Sequence, residues 1–269
     1  ARMNLRLYLQ TLRWNRVRLA VIVVAAVGWG MLMPIVYVQF AGAFKNLANS
    51  GAFPKELMNF GSGSLFTLPG ALTLGLQHPL AIAFVGIFAV GSTVSAIAGE
   101  REDGTLEVLL SRPISRRTLY ITVGVASATL VAIVLLALLG GQLIGVGIQG
   151  VGNELDLGLM PLVFLNGLLL WGAFAAFGLA ASVSFDRRGP ALGLTLAYLL
   201  INYFLEILGS LWRDVAWSQK YSLFHHFNPG NILTGKADPI DFLILAVAIV
   251  IPVAYALIVF PRRDLAAPS

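Results

Sequence analysis

Apolar residues fall in long blocks along this chain. Six of them, about 19–38, 79–99, 119–147, 159–182, 190–211 and 240–260, each reach the ~20 residues a helix needs to cross the hydrocarbon of a bilayer. The fourth and fifth blocks are parted only by Ser184-Phe185-Asp186-Arg187-Arg188-Gly189-Pro190, a short charged break ending in a Gly-Pro pair. Ahead of the first block, Leu5, Leu9 and Leu12 share one helical face with Tyr8 close by, and Arg6 and Arg13 lie on another. That face predicts an interfacial helix over 1–18. No small-x-small cleavage site with a soluble domain behind it follows, so 19–38 reads as a first span and not as a signal peptide. The pattern predicts an all-α polytopic membrane protein: one transmembrane domain over 1–269, six membrane-crossing helices and an interfacial helix before them.

Composition agrees. The chain is 58% hydrophobic and 12% charged, where a soluble domain would be about 25% charged. Cysteine is absent, which removes disulfides and thiolate metal sites. Arginine sets the orientation. Thirteen of the 18 basic residues precede the first block, lie in 100–118, sit at Arg187 and Arg188, or end the chain at Arg262 and Arg263. The positive-inside rule puts all of these, and so both termini, in the cytoplasm. The outer segments, 39–78 and 212–239, carry Phe40, Phe44, Phe53, Phe60 and Phe66, then Trp212, Trp217, Tyr221, Phe224 and Phe227. Rings with a polar edge suit the headgroup layer. These segments are expected to lie on the membrane or dip into it as short helices.

The charged island at 100–120 stands out. Thr105 is placed to cap a short helix on which Leu106, Leu109 and Leu110 share a face and Glu107 lies on another. Gly104 allows the sharp reversal before it, Pro113 stops it, and Ser115 is placed to cap the next span. Two readings fit: an ordered loop whose leucines rest on lipid, and a docking element offered to a soluble partner.

The run from Glu100 to Arg116, with its glutamates, the Gly104-Thr105 pair, the paired leucines Leu109-Leu110 and the close Pro113-Ile114-Ser115-Arg116, resembles the cytoplasmic signature of ABC-2-type transporter permeases. The similarity extends to the layout of the whole chain. It implies an ABC-2 exporter fold (ABCG-like, type V), with 100–118 as the loop that docks a separate ATP-binding subunit. By that resemblance Thr105, Leu106, Glu107, Val108, Leu109 and Leu110 form the contact, Gly104 and Pro113 shape it, and Glu100 and Glu102 look toward the arginines of the N-terminal helix. It also implies two ATPase subunits, a second permease copy or close paralogue, and a prokaryotic cytoplasmic membrane. ATP and Mg2+ would belong to the partner, with no cofactor in this chain. In keeping with this, the chain contains no G-x-x-x-x-G-K-[ST] run; Gly230 to Lys236 has the glycine spacing and the lysine but is followed by Ala237 where the Mg2+-binding Ser or Thr is needed.

The expected bilayer interior holds almost no charge. Glu206 is the exception, roughly 24 Å along its helix from Pro190 and so near the outer interface. With Asn202 and Tyr203 one turn earlier it is a candidate for the translocation path. The alternative is a polar cap at the end of a span. His78, His225 and His226 lack an acidic partner at ligand spacing, so no metal site is expected. Gly141 and Gly145 form a small-x-x-x-small pair that suits close helix packing. Apolar spans favour an amphipathic, lipid-like or drug-like cargo. The competing functions are a proton-coupled secondary transporter, which would need acids near the midplane, a membrane-embedded enzyme, which would need a polar cluster, and a non-transporting anchor or regulatory subunit. No nucleic-acid partner is expected.

Overall fold

The computed structural model describes residues 3–49, 59–60, 63–64, 67–111 and 114–263. Phe53 and Phe66, counted above among the outer aromatics, lie outside these. Helix dominates: α1 (Leu5–Asn49), α2 (Leu68–Gln77), α3 (Pro79–Gly86), α4 (Glu100–Glu102), α5 (Leu106–Leu110), α6 (Arg116–Gln149), α7 (Met160–Ser184), α8 (Arg188–Leu211), α9 (Pro229–Leu233) and α10 (Pro239–Arg262). Among the described residues, strand is confined to a two-residue antiparallel pair, Asn59–Phe60 with Gly63–Ser64. Five helices are long and apolar enough to cross a bilayer, and α2 with the run from Pro79 makes a sixth if that bent pair is one span. The chain is an all-α polytopic membrane protein.

The first boundary differs from expectation. The arm expected over 1–18 and the span expected over 19–38 are one uninterrupted helix of 45 residues, about 68 Å long. From Leu5 to Val27 the chain has neither Gly nor Pro, and its arginines and leucines are good helix formers, so nothing local breaks it. Asn4 and Tyr8 fix its start to α6. The Asn4 amide donates to Thr122 Oγ1 at 3.0 Å, and the Tyr8 and Thr129 hydroxyls pair at 3.1 Å.

Further along, α1 and α6 touch backbone to backbone. A Cβ on Gly30 would sit 2.3 Å from the Leu138 carbonyl oxygen, and one on Gly141 would sit 2.3 Å from that of Val27. Gly145 faces the Met31 oxygen in the same way at 2.7 Å. In lipid, apolar burial between helices contributes little, so such close approach supplies the packing energy.

The second block is not a plain α-helix. His78 takes an extended conformation between α2 and α3, and the axes turn by 50° there. Past Gly86 the helix widens to π geometry at Ile87–Ser92 and again at Ser95–Gly99. The second widening has a visible cause. Ser182 Oγ of α7 donates to the Val94 carbonyl at 2.8 Å and accepts from the Ile97 and Ala98 amides at 3.2 and 2.8 Å. A side chain inserted into the ladder is one of the known origins of such distortions. Alongside it, Gly178 leaves room for Thr93, whose Oγ1 would be 2.4 Å from a Cβ there.

α2 is buried along most of its length, with Leu68, Ala71 and Leu72 fully covered. Two distant side chains bind its backbone, and its own glutamine binds a distant carbonyl. Trp29 Nε1 donates to the Gly75 carbonyl at 2.8 Å, Gln142 Nε2 donates to that of Leu72 at 2.8 Å, and Gln77 Nε2 donates to that of Phe227 at 3.0 Å. Of the second outer segment's aromatics, Phe224 and Phe227 are buried while Trp212, Trp217 and Tyr221 are exposed.

The close α1–α6 approach yields a sharp contrast between neighbouring glycines. Gly141→Ala should destabilise the protein by about 1–3 kcal/mol, the usual range for overpacking. Gly140→Ala, with nothing within 4 Å of the new carbon, should be neutral or slightly stabilising. Thermal unfolding of both variants in one detergent is the measurement.

Candidate functional site

Two polar regions lie at opposite ends of the bundle. The first is the loop after the second helical run. Gly104, at φ +70°, ends α4 in a left-handed turn. The Thr105 amide reaches the Glu100 carbonyl at 2.9 Å and the Gly104 amide that of Arg101 at 3.1 Å, a closure that glycine favours. Thr105 does not cap α5, contrary to expectation. Its hydroxyl turns back and donates to the Glu100 carbonyl at 3.1 Å and to the Glu100 carboxylate, a charge-assisted bond, instead of accepting from an amide of α5. Ser115 does cap α6, its Oγ accepting from the Thr118 amide at 3.1 Å. Pro113 lies outside the described residues.

The leucines of α5 do not form one outward ridge. Leu106 is buried in an apolar cluster with Ile97, Leu119, Val123 and Phe260. Leu109 and Leu110 are half-buried. What α5 offers outward is Glu107, Ser111 and Val108, whose side chain is 63% exposed. Leu106 thus fastens the short helix to the bundle, and Val108 is its exposed apolar group. The reversal at Gly104 and the packing partners, which come from α6 and α10, decide which face turns in.

Glu102 was expected to face the N-terminal arginines and instead faces α8. Its carboxylate accepts from the Arg188 amide at 2.8 Å, and Asp103 pairs with the Arg188 guanidinium at 3.2 Å. Helix α8 has no side-chain cap of its own, so Glu102 supplies the anionic acceptor that a helix start favours. A second link joins the same surfaces. Arg101, with a side chain only 12% exposed, reaches Asp186 at 2.7 Å, and Asp186 also binds Arg263. Arg116 donates to the Phe260 and Arg263 carbonyls at 3.1 and 2.6 Å, closing the end of α10. The loop, the α7–α8 turn and the end of α10 are therefore one connected unit. Arg188 and Arg263 were read only for orientation, and Asp186 only as part of the charged break; the acids set beside arginines in both loops were the signal for these pairs.

The second region is at the far end of α8. Asn202 and Glu206 are buried and Tyr203 is half-buried. Asn202 Oδ1 accepts from the Leu223 amide at 2.8 Å, and Ser222 donates to the Asn202 carbonyl at 2.7 Å. Glu206 Oε1 accepts from Gln219 at 3.2 Å. Its other oxygen has His225 Nδ1 at 3.7 Å, an ion-pair contact too long for a hydrogen bond. These groups hold the 212–226 segment onto α8. His226 meets Asp241 at 2.8 Å, Asn228 donates to the same carboxylate at 2.9 Å, and Asn166 donates to the His226 carbonyl at 3.0 Å. Each of the paired histidines thus has an acidic neighbour, brought from a distance that sequence spacing did not reveal. No group of three metal-ligating side chains occurs among the described residues.

A family model described as "ABC-2 family transporter protein" matches residues 10–265. No curated protein matches the chain.

The nearby Glu206 carboxylate raises the His225 pKa above its usual value, against desolvation, with Asp241 adding a smaller push the same way. A histidine whose pKa is raised in the folded state contributes stability below its ordinary pKa, and that contribution fades as pH rises through the raised value. Protection of the 213–221 amides against hydrogen exchange, corrected for intrinsic rate, should fall between pH 6 and pH 9. His225→Gln should flatten that dependence.

Proposed function

Since the chain belongs to the ABC-2 family of transporters, we propose that it is the permease half of an ATP-driven exporter, powered by a separate ATP-binding subunit seated on the 100–118 loop. The observation that carries this reading is the loop itself. It presents exposed Val108 and Glu107 on a short helix pinned by Leu106, and ion pairs join it to α8 and α10. A push on such a helix passes to those helices, which an idle loop resting on lipid would not require.

In this reading two ATPase subunits, each holding ATP and Mg2+, serve two permease copies, identical or paralogous. The arginine-rich end and both termini face the cytoplasm of a prokaryote. The cargo is amphipathic. Supporting this, an apolar groove of about 300 Å3 runs between the second helical run and α8, lined by Ile82, Ile87, Val90, Leu192, Leu196 and Leu199, at the lower end of the usual size for small-molecule sites. Asn202, Tyr203 and Glu206 hold the outer cover of that path. Coupling to protons is disfavoured by the place of Glu206, at the outer end of α8 and bonded to Gln219.

Two variants separate the parts. Val108→Asp should lower recovery of a copurifying ATPase by more than about tenfold, the scale of a charge placed in an apolar contact, without loss of thermal stability. Unchanged recovery would defeat the docking assignment. Glu206→Gln should leave ATPase recovery intact and slow cargo flux; unchanged flux would remove Glu206 from the path.

A further inference from the structure

A second cavity, about 180 Å3, opens at the arginine-rich end between α1, the π-helical stretch and the start of α6. Its lining divides by chemistry. Trp14 and Leu119 supply apolar surface, Ser92 and Ser95 supply hydroxyls, and Arg18 and Glu100 bring opposite charges to one space. Arg18 has no ion pair or hydrogen bond among the described residues. Glu100 spends one carboxylate oxygen on Thr105 and has no cationic partner there. Two opposite charges that border one cavity, neither with a charged partner among the described residues, match a ligand carrying both signs.

The cavity is too small for a whole drug-sized molecule, which takes about 300–1,000 Å3. It is not isolated, however. Gly91 lines both this cavity and the apolar groove beside α8, and a Cβ at Gly91 would meet nothing within 4 Å. The two spaces, one polar and charged, the other apolar, thus border the same residue, which has no side chain to part them.

We propose that Arg18 and Glu100 bind the head group of a zwitterionic amphiphile, its phosphate on Arg18 and its ammonium on Glu100, with its single hydrocarbon tail crossing Gly91 into the apolar groove. The charge pair decides among amphiphiles. An anionic head would be repelled by Glu100 and a cationic one by Arg18. The proposal deepens the transport reading by naming a ligand class and a place for it, but binding itself needs no ATPase.

The test uses the full chain purified in detergent, without a partner. Equilibrium binding is measured for lysophosphatidylethanolamine, lysophosphatidylglycerol and an alkyltrimethylammonium of matched tail length. The zwitterion is expected to bind one per chain, about tenfold tighter than either other head. Arg18→Gln should erase the preference over the cation. Glu100→Gln keeps an acceptor for Thr105 and should erase the preference over the anion. Gly91→Leu should weaken all three about tenfold while leaving their ranking. Equal binding of the three heads, or an unchanged ranking in both charge variants, would overturn the proposal. Flux of the zwitterion with a coexpressed ATPase would mark it as cargo, and binding without flux would mark it as bilayer lipid held in place; either keeps the site. Loss of ATPase recovery without loss of binding would fault the transport reading alone.

Discussion

Inside hydrocarbon no water is present to bond a stray amide or carbonyl, so every irregular stretch of backbone needs a protein partner. The rest of this fold depends on how that demand is met. The second helical run is neither straight nor regular, and its freed groups at Val94, Ile97 and Ala98 all go to one hydroxyl, Ser182. The buried α2 has its carbonyls taken by Gln142 and Trp29. Such bonds fix which helix lies beside which far more narrowly than apolar contact does, because one apolar surface in lipid is much like another.

The same reasoning explains the contrast between the two ends. At the outer end, uncharged amides and a pair of His–acid contacts hold a folded segment against α8 and α10. At the other end the links are ionic and exposed, with Asp103 and Asp186 each 60% open to solvent. Exposed ion pairs contribute little stability, typically under about 1 kcal/mol each. Their value here is connection. They join three loops that are distant in sequence.

Much of the fold was readable beforehand because a membrane span announces itself by length and apolarity alone. The glycine reversal at Gly104 and the Ser115 cap were readable for a similar reason: each depends on residues within four positions. Long-range choices were hidden. Thr105 turned from its own helix to Glu100, Leu106 turned inward toward Phe260, and Glu102 found the start of α8. In each case the deciding group lies outside the local pattern. A short helix such as α2 was expected in the first outer segment, but its partners were hidden: it is buried with a glutamine and a tryptophan from elsewhere, Gln142 and Trp29, bonded to its carbonyls. The missing break after Arg18 has the opposite cause: the change from charged to apolar residues altered the surroundings of the helix and not its backbone.

The inward turn of Leu106 changes how α5 has to be regarded mechanically. A short helix that met a neighbour with its whole apolar face would be clamped on that side and loose on its own. Here the grip is divided: Leu106 is the pivot pin, seated among Leu119 and Phe260, and Val108 is the handle. In the proposed transporter, a partner that takes hold of the handle would therefore pull directly on the helices that seat the pin.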